Sequence, residues 1–314
     1  MGMCVKFRNF RALLLLALLA HFAVSGTAQA AEVDNFTTSG LTEIDSTPLL
    51  NRLFNDELDA LIAQWTGVAD PVPFTLAYIQ AIDRTPVLNR ITRRFIEAGG
   101  KIQTVSKPVI YADSPCYTSA TLWVRPLAGI IFLNGIPVGT DKVGHFHDGG
   151  SAIFRKVYFD HKSLNEVLGW AARAEHGLLG YEVANVYSNA DLAANYEGFR
   201  FYRGLFFRDE QTGQAPILSV VDGKVVKNRE VDLADYVTSY WNEAMNPSRT
   251  SACMERHFMK VLPTRCDQFF AHPEWYLPRG EKALELRYEN LRFRPSSRFR
   301  MDHICTPEAS GAGR

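Results

Sequence analysis

From residue 47 onward, apolar positions fall mostly at helical rather than strand spacing. Over 47–66, Leu49, Leu50, Leu53, Phe54, Leu58, Leu61, Ile62 and Trp65 share one face, opposite Asp56, Glu57 and Asp59, which predicts an amphipathic helix. A second helix is predicted over 74–83. A third starts near Pro86, carries Val87, Leu88, Ile91, Phe95 and Ile96, and stops at Gly99-Gly100. Residues 101–139 change character: VSKPVIYA, SATLWV and GIIFL read as short strands broken by Pro and Gly. Helical spacing returns over 140–206. Ile217–Val221 and Lys224–Lys227 flank Asp222-Gly223, a two-residue hairpin signal. A further helix is suggested over 232–246, ending before Pro247. The rest is irregular and aromatic, closing on an Arg-rich segment at 287–300. No internal repeat and no linker divides the chain. The expected fold is mainly α with a small β component (α+β): a helical bundle core plus short strands and one hairpin, in a single domain over 31–314.

The N-terminus departs from this pattern. Lys6, Arg8 and Arg11 precede an apolar run at 12–24, and Ala28-Gln29-Ala30 supplies a small-x-small cleavage pattern, so residues 1–30 are expected to be a signal peptide. Thirteen helical residues span about 20 Å, short of the ~30 Å hydrocarbon core. The later apolar stretch 119–138 is interrupted by Arg125, Pro126, Asn134 and Pro137, which suits two short buried strands better than a spanning helix. No transmembrane anchor is expected after cleavage, and the location is expected to be periplasmic or secreted. Four cysteines follow the leader: Cys116, Cys253, Cys266 and Cys305. An even number in an oxidising compartment predicts two disulfides. Of the three pairings, the short loop favours Cys253–Cys266, which leaves Cys116 for Cys305.

Composition narrows the function classes. The chain is 46% hydrophobic and 22% charged, ordinary for a globular protein, with 34 Lys+Arg against 34 Asp+Glu. No basic excess points to a nucleic-acid partner.

Candidate chemistry concentrates in 139–206. In GTDKVGHFHDGG, Asp141, His145 and Asp148 fall within about 60° on a helix that Thr140 can cap. Gly149-Gly150 costs ~1 kcal/mol per residue relative to Ala in a helix interior, which suggests close backbone approach there. In EHGLLGYE, Glu175 and Glu182 are seven apart and share a face. Glu182 sits in an apolar stretch, where a lone carboxylate is costly. In SNADLAANYEG, Ser188 or Asn189 can cap a helix whose Asp191, Asn195, Gly198 and Tyr202 form one stripe. Packing the apolar faces beside these stripes is expected to bring His145, Glu182, Asp191 and Asn195 to one polar site. His147 and His176 are expected at the surface or behind it.

Asp141-Lys142-x-x-His145-Phe146, then Glu182, then Asp191-Leu192-x-x-Asn195-x-x-Gly198 resembles the VanZ-like family, over about 64 of the 314 residues. The resemblance implies a cell-envelope setting, without implying a reaction. VanZ-like proteins are small and built from membrane-spanning helices. Here the corresponding helices carry Arg155, Lys156, Arg173, Glu175, Arg200 and Arg203, so a polar helix-bundle site on a soluble scaffold is the most that is shared.

The chemistry on offer is acid–base. His145, Glu182 and Asp191 are the candidate catalytic residues, and Asp141, Lys142, Asp148, Glu175, Asn195 and Tyr202 the candidate binding residues. His145 oriented by Asp141 could activate water. Glu182 and Asp191 could form a glycosidase-like carboxylate pair. No cofactor is called for. A divalent metal on His145, Glu182 and Asp191 is an alternative without a compact ligand motif behind it. The expected function is an exported, envelope-associated or extracellular hydrolase acting on a polymer. The alternative is a non-catalytic periplasmic protein that binds a small ligand or scaffolds the envelope.

Overall fold

A computed structural model describes residues 33–37, 44–82, 90–103, 110–111, 114, 116, 129–177 and 180–306. The expected signal peptide and the strand SATLWV lie outside the described residues, as does most of VSKPVIYA, of which Ile110 and Tyr111 form a buried turn. The chain is mainly helical with small two-stranded sheets, as the periodicity implies. Among the described residues no helix is long and apolar enough to cross a membrane.

Helices α1 (Thr47–Gln64), α2 (Pro71–Ile82) and α3 (Arg90–Glu97) follow the amphipathic pattern. The buried face of α1 holds Leu50, Leu53, Phe54 and Leu58, and Gly99 at φ +84° ends the turn after α3. Strands β1 (Ile130–Leu133) and β2 (Ile136–Gly139) then form a buried antiparallel hairpin, with Ile130 opposite Gly139. Its turn is Asn134-Gly135, both at positive φ, as a two-residue hairpin of right-handed strands requires.

β2 runs directly into the polar region of interest. Gly139 takes the cap position, so Thr140 is the first helical residue of α4 (Thr140–Gly144) and does not cap it. A π-helical turn follows at His145–Gly149, and α5 (Gly150–Tyr158) continues the same rod. Then come α6 (Leu164–His176), α7 (Tyr181–Ala184), β3 (Val186–Tyr187) and α8 (Asn189–Gly204). Helix α8 is buried along almost its whole length and forms the centre of the molecule. The α4–α5 rod crosses it with backbone nearly touching backbone. A Cβ on Gly198 would lie 1.7 Å from the Phe146 carbonyl oxygen, and one on Gly150 would lie 2.5 Å from Gly198 Cα. The glycines that look costly in the sequence are therefore the crossing point. Phe146 sits beneath it, its ring centroid 6.0 Å from Phe54, 5.3 Å from Phe201 and 5.5 Å from Trp241.

The hairpin β4 (Leu218–Val221) and β5 (Lys224–Lys227) forms as expected around Asp222 (φ +50°) and Gly223 (φ +72°). The helix expected over 232–246 does not form. Only 3₁₀ turns at Leu233–Asp235 and Ser239–Trp241 appear. Side-chain oxygens there capture backbone donors: Asp232 takes Ala234 N–H, and Asn242 takes Ala244 and Met245 N–H at 2.9 and 3.2 Å. Such local bonds compete with a helix ladder.

A second apolar cluster (Phe36, Tyr111, Met254, Phe258, Tyr276, Phe299) packs beside β6 (Arg249–Thr250), α9 (Ala252–Val261), α10 (Cys266–Ala271) and α12 (Met301–Ile304), while α11 (Glu281–Arg287) places Leu284 in the main core. Two disulfides staple this part, but not in the expected pairing. Cys116 bonds Cys253 and Cys266 bonds Cys305, with Cα atoms 5.9 and 5.2 Å apart. The expectation treated 253–266 as a loop. That stretch is helical through α9 and the 3₁₀ turn Leu262–Arg265, which holds its ends about 20 Å apart, beyond any disulfide's reach.

The observed bridges close sequence separations of 137 and 39 residues. The chain-entropy model assigns them about 5 and about 4 kcal/mol. Reduction should lower the thermal midpoint by roughly 10 °C or more, read by circular dichroism with and without reductant. An unmoved midpoint would show that neither bridge constrains the unfolded chain.

Candidate functional site

Where α4 meets α8, the side chains form a buried charged cluster. Lys142 is wholly buried, and its ammonium donates to Asp141 Oδ2 at 2.7 Å, to Glu243 Oε1 at 2.8 Å and to Asp191 Oδ1. All three carboxylates belong to buried residues. Asp141 is placed by the β2–α4 junction, where Gly139 is essential: a Cβ there would lie 2.0 Å from Asp141 Oδ1. Asp191 is placed by the start of α8, where Ser188 Oγ accepts its backbone N–H at 3.1 Å. Glu243 comes from the irregular stretch after Trp241. Its other oxygen accepts from Tyr111 OH at 2.7 Å, and its backbone N–H donates to Asn35 Oδ1 at 3.0 Å.

His145 forms the outer edge of the cluster. Its Nε2 lies 3.0 Å from Asp191 Oδ2 and its Nδ1 3.1 Å from Asn195 Oδ1. Its side chain keeps 15% exposure and that of Asp191 9%, while Lys142 has none, so solvent reaches the cluster along the His145–Asp191 edge. Gly149 makes room for Asn195, since a Cβ there would sit 1.8 Å from Asn195 Oδ1.

The electrostatics follow from burial and charge. Burial works against the His145 imidazolium, but the Asp191 carboxylate outweighs it and pushes the group up to about 9. Burial likewise opposes ionised Asp191, yet His145 and Lys142 hold it well below the usual carboxylate range. Burial raises Asp141, only partly offset by Lys142. Glu175, buried on α6 and accepting Ser188 N–H at 2.9 Å, is pushed up to about 8 by burial and by the charge on Asp191. One carboxyl is thus held ionised and its neighbour held neutral near pH 7.

The structure brings together Asp141, Lys142, His145, Asp191 and Asn195, with Glu175 close enough to feel Asp191. Glu182 does not join them. It is exposed on α7, and the buried carboxylate of its neighbourhood is Glu175. Asp148 also falls outside: its Oδ1 lies 3.8 Å from His147 Nε2, and it is not among the groups bonded to His145. The π turn accounts for this. Its wider repeat rotates Asp148 away from the face that Asp141 and His145 share. Tyr202 is buried with its hydroxyl on Nδ1 of His147. His147, expected at the surface or behind the site, is fully buried, which excludes the surface position.

Glu243 and Tyr111 were missed by sequence reasoning. The signal for Glu243 was present in Tyr240-Trp241-Asn242-Glu243-Ala244-Met245: a carboxylate in an apolar stretch, the same signal that singled out Glu182. Nothing in the sequence marked Tyr111.

No protein-family model matches the chain, and no curated protein or solved structure matches it either.

Proposed function

We propose that this protein is an exported hydrolase whose acid–base chemistry centres on His145. The supporting observation is His145 held between Asp191 Oδ2 and Asn195 Oδ1 at a solvent-touched edge of a largely buried charged cluster. With acceptors facing both ring nitrogens, the ring is held as an imidazolium, and a leaving group that took the place of Asn195 at Nδ1 would receive its proton there, the role of a general acid. Asp191 orients it. Glu175 supplies a second carboxyl of opposite protonation, the pairing the sequence suggested for Glu182 and Asp191.

The leader-like N-terminus and two disulfides support an oxidising compartment, periplasmic or extracellular. The sequence resemblance to the VanZ-like family supports an envelope setting, within which a polymer is the substrate proposed. A second reading, a structural charge centre, is favoured for one part only: Lys142 spends three donors on three carboxylates deep in the fold.

The test is turnover by the disulfide-bonded chain of p-nitrophenyl acetate, p-nitrophenyl phosphate, a p-nitrophenyl glycoside and purified peptidoglycan. One class should be hydrolysed, with turnover lost by roughly 100-fold or more in His145→Gln while the melting temperature stays within a few degrees. No turnover of any class, or turnover that His145→Gln leaves intact, overturns the proposal.

A further inference from the structure

We infer that Asp141, His145 and Asp191 form a binding site for a divalent transition-metal ion of the zinc or manganese class. This deepens the hydrolase reading, because it concerns the same site, but its test is separate. One ligand atom from each of the three residues lies within 4.8 Å of the other two. A single ion could be bound by all three after small side-chain adjustments, at the roughly 2.0–2.2 Å usual for nitrogen and oxygen ligands.

Three features set this cluster apart from an ordinary acidic patch. First, Asp141 Oδ1 is buried and has no hydrogen-bond partner among the described residues, although Oδ2 is spent on Lys142. A buried carboxylate oxygen without a partner is costly unless something positive reaches it. Second, formal charge does not balance. Asp141, Asp191 and Glu243 surround the ammonium of Lys142, and even with His145 as an imidazolium the described residues leave an excess of one negative charge in a buried cluster. A divalent ion that replaces the imidazolium proton adds one positive charge and removes that excess. Third, the far nitrogen of His145 is already fixed. Nδ1 can donate to Asn195 Oδ1 at 3.1 Å, leaving the lone pair of Nε2 on the side of Asp191. Metal-bound histidines almost always give their other N–H to such an acceptor.

The ligand set itself limits the ion. Imidazole plus two carboxylates suits zinc, manganese or ferrous iron rather than calcium, which takes oxygen ligands, or copper(I), which prefers sulfur. Three protein ligands leave positions open to solvent at the exposed edge of His145, the arrangement of catalytic rather than structural sites. An ion held there supplies a water of lowered pKa. Asn195 is then a positioning residue, acting through the orientation of the ring.

The experiment uses the oxidised full chain, stripped with a chelator and dialysed. Zn²⁺ and Mn²⁺ are titrated separately by isothermal calorimetry, with bound metal counted by mass spectrometry, and Co²⁺ is added as a spectroscopic probe. The expected result is one equivalent of bound ion and ligand-field bands for Co²⁺. Binding should be abolished in His145→Gln and weakened roughly 10–100-fold in Asn195→Ala. Both residues lie at the edge of the cluster, so these variants keep the Lys142 pairings, and circular dichroism confirms that they fold. Sub-stoichiometric binding, or binding that His145→Gln leaves unchanged, overturns the inference. Metal binding without turnover of any substrate would retain this site and reject the hydrolase reading. Absence of stoichiometric metal binding together with metal-free turnover that depends on His145 would do the reverse.

Discussion

Gly198→Ala should cost about 3 kcal/mol or more and leave the chain at the margin of folding. The added Cβ would lie 1.7 Å from the Phe146 carbonyl oxygen and 3.0 Å from Gly150 Cα. Both are backbone atoms, so no side chain can swing aside. Relief requires the α4–α5 rod and α8 to separate, which opens the packing of Phe146 against Phe54, Phe201 and Trp241. The same separation would draw His145 from Asp191 and Asn195. A control is at hand in Gly144, six residues before Gly150 on the α4–α5 rod, where a Cβ meets nothing within 4 Å. Gly144→Ala should be neutral or stabilise by up to ~1 kcal/mol, since alanine is the better helix former. Urea unfolding of the two variants beside the parent distinguishes crossing-point sterics from a general intolerance of alanine. Equal effects would refute the close crossing.

Lys142→Met should be comparably severe. Methionine keeps most of the side chain's apolar volume and removes only the charge and its three hydrogen bonds. Asp141, Asp191 and Glu243 would then share a buried site with no ammonium between them. Breaking one buried ion pair by removing a partner costs about 3–5 kcal/mol, and here one cation serves three anions. Against a typical domain stability of about 5–15 kcal/mol, that is a large fraction. The loss should shrink at low pH, where the carboxylates take up protons and no longer repel, so the variant's denaturant midpoint should fall well below the parent's at neutral pH and approach it at acidic pH. A loss below ~1 kcal/mol at neutral pH would mean that Lys142 is not the charge centre.

The helices were legible because their apolar faces obey one period over many residues. The α1 stripe is an example. The β4–β5 hairpin was legible from Asp222-Gly223, and Asn134-Gly135 carried an equally good signal for β1–β2 that the Pro-broken neighbourhood obscured. What failed was geometry that period alone cannot supply. The π turn breaks the 100° step on which the Asp141–His145–Asp148 stripe depended, and no residue in HFHDG announces it. Residues 232–246 carry helical spacing, but Asp232 and Asn242 spend their side chains on local backbone donors. The cysteine pairing failed for a related reason, since loop length in sequence says nothing once the loop is a helix.

Within the cluster, the expected residues that the structure brings together are those tied to a helix start or crossing: Asp141 and Lys142 after β2, Asp191 after the Ser188 cap, Asn195 opposite Gly149. Glu182 was singled out for its apolar surroundings, yet its helix is one short turn that leaves it exposed. Glu175, on the same predicted face, had a long helix behind it and is buried. Glu243 arrives from far along the chain, and only tertiary packing brings it to Lys142.

The central claim is that His145 is clamped between Asp191 and Asn195, and the protonation state of its ring reports this directly. In ¹⁵N-histidine-labelled, chelator-treated full chain, long-range imidazole correlation spectra followed across pH assign the titration of His145 by comparison with His145→Gln. The expected result is a ring carrying protons on both nitrogens at neutral pH, with a midpoint near 9. In Asn195→Asp the added carboxylate should move that midpoint further up. A midpoint at or below the ordinary value of about 6.5 would contradict the account, because it would mean that Asp191 does not face the imidazole in the folded chain.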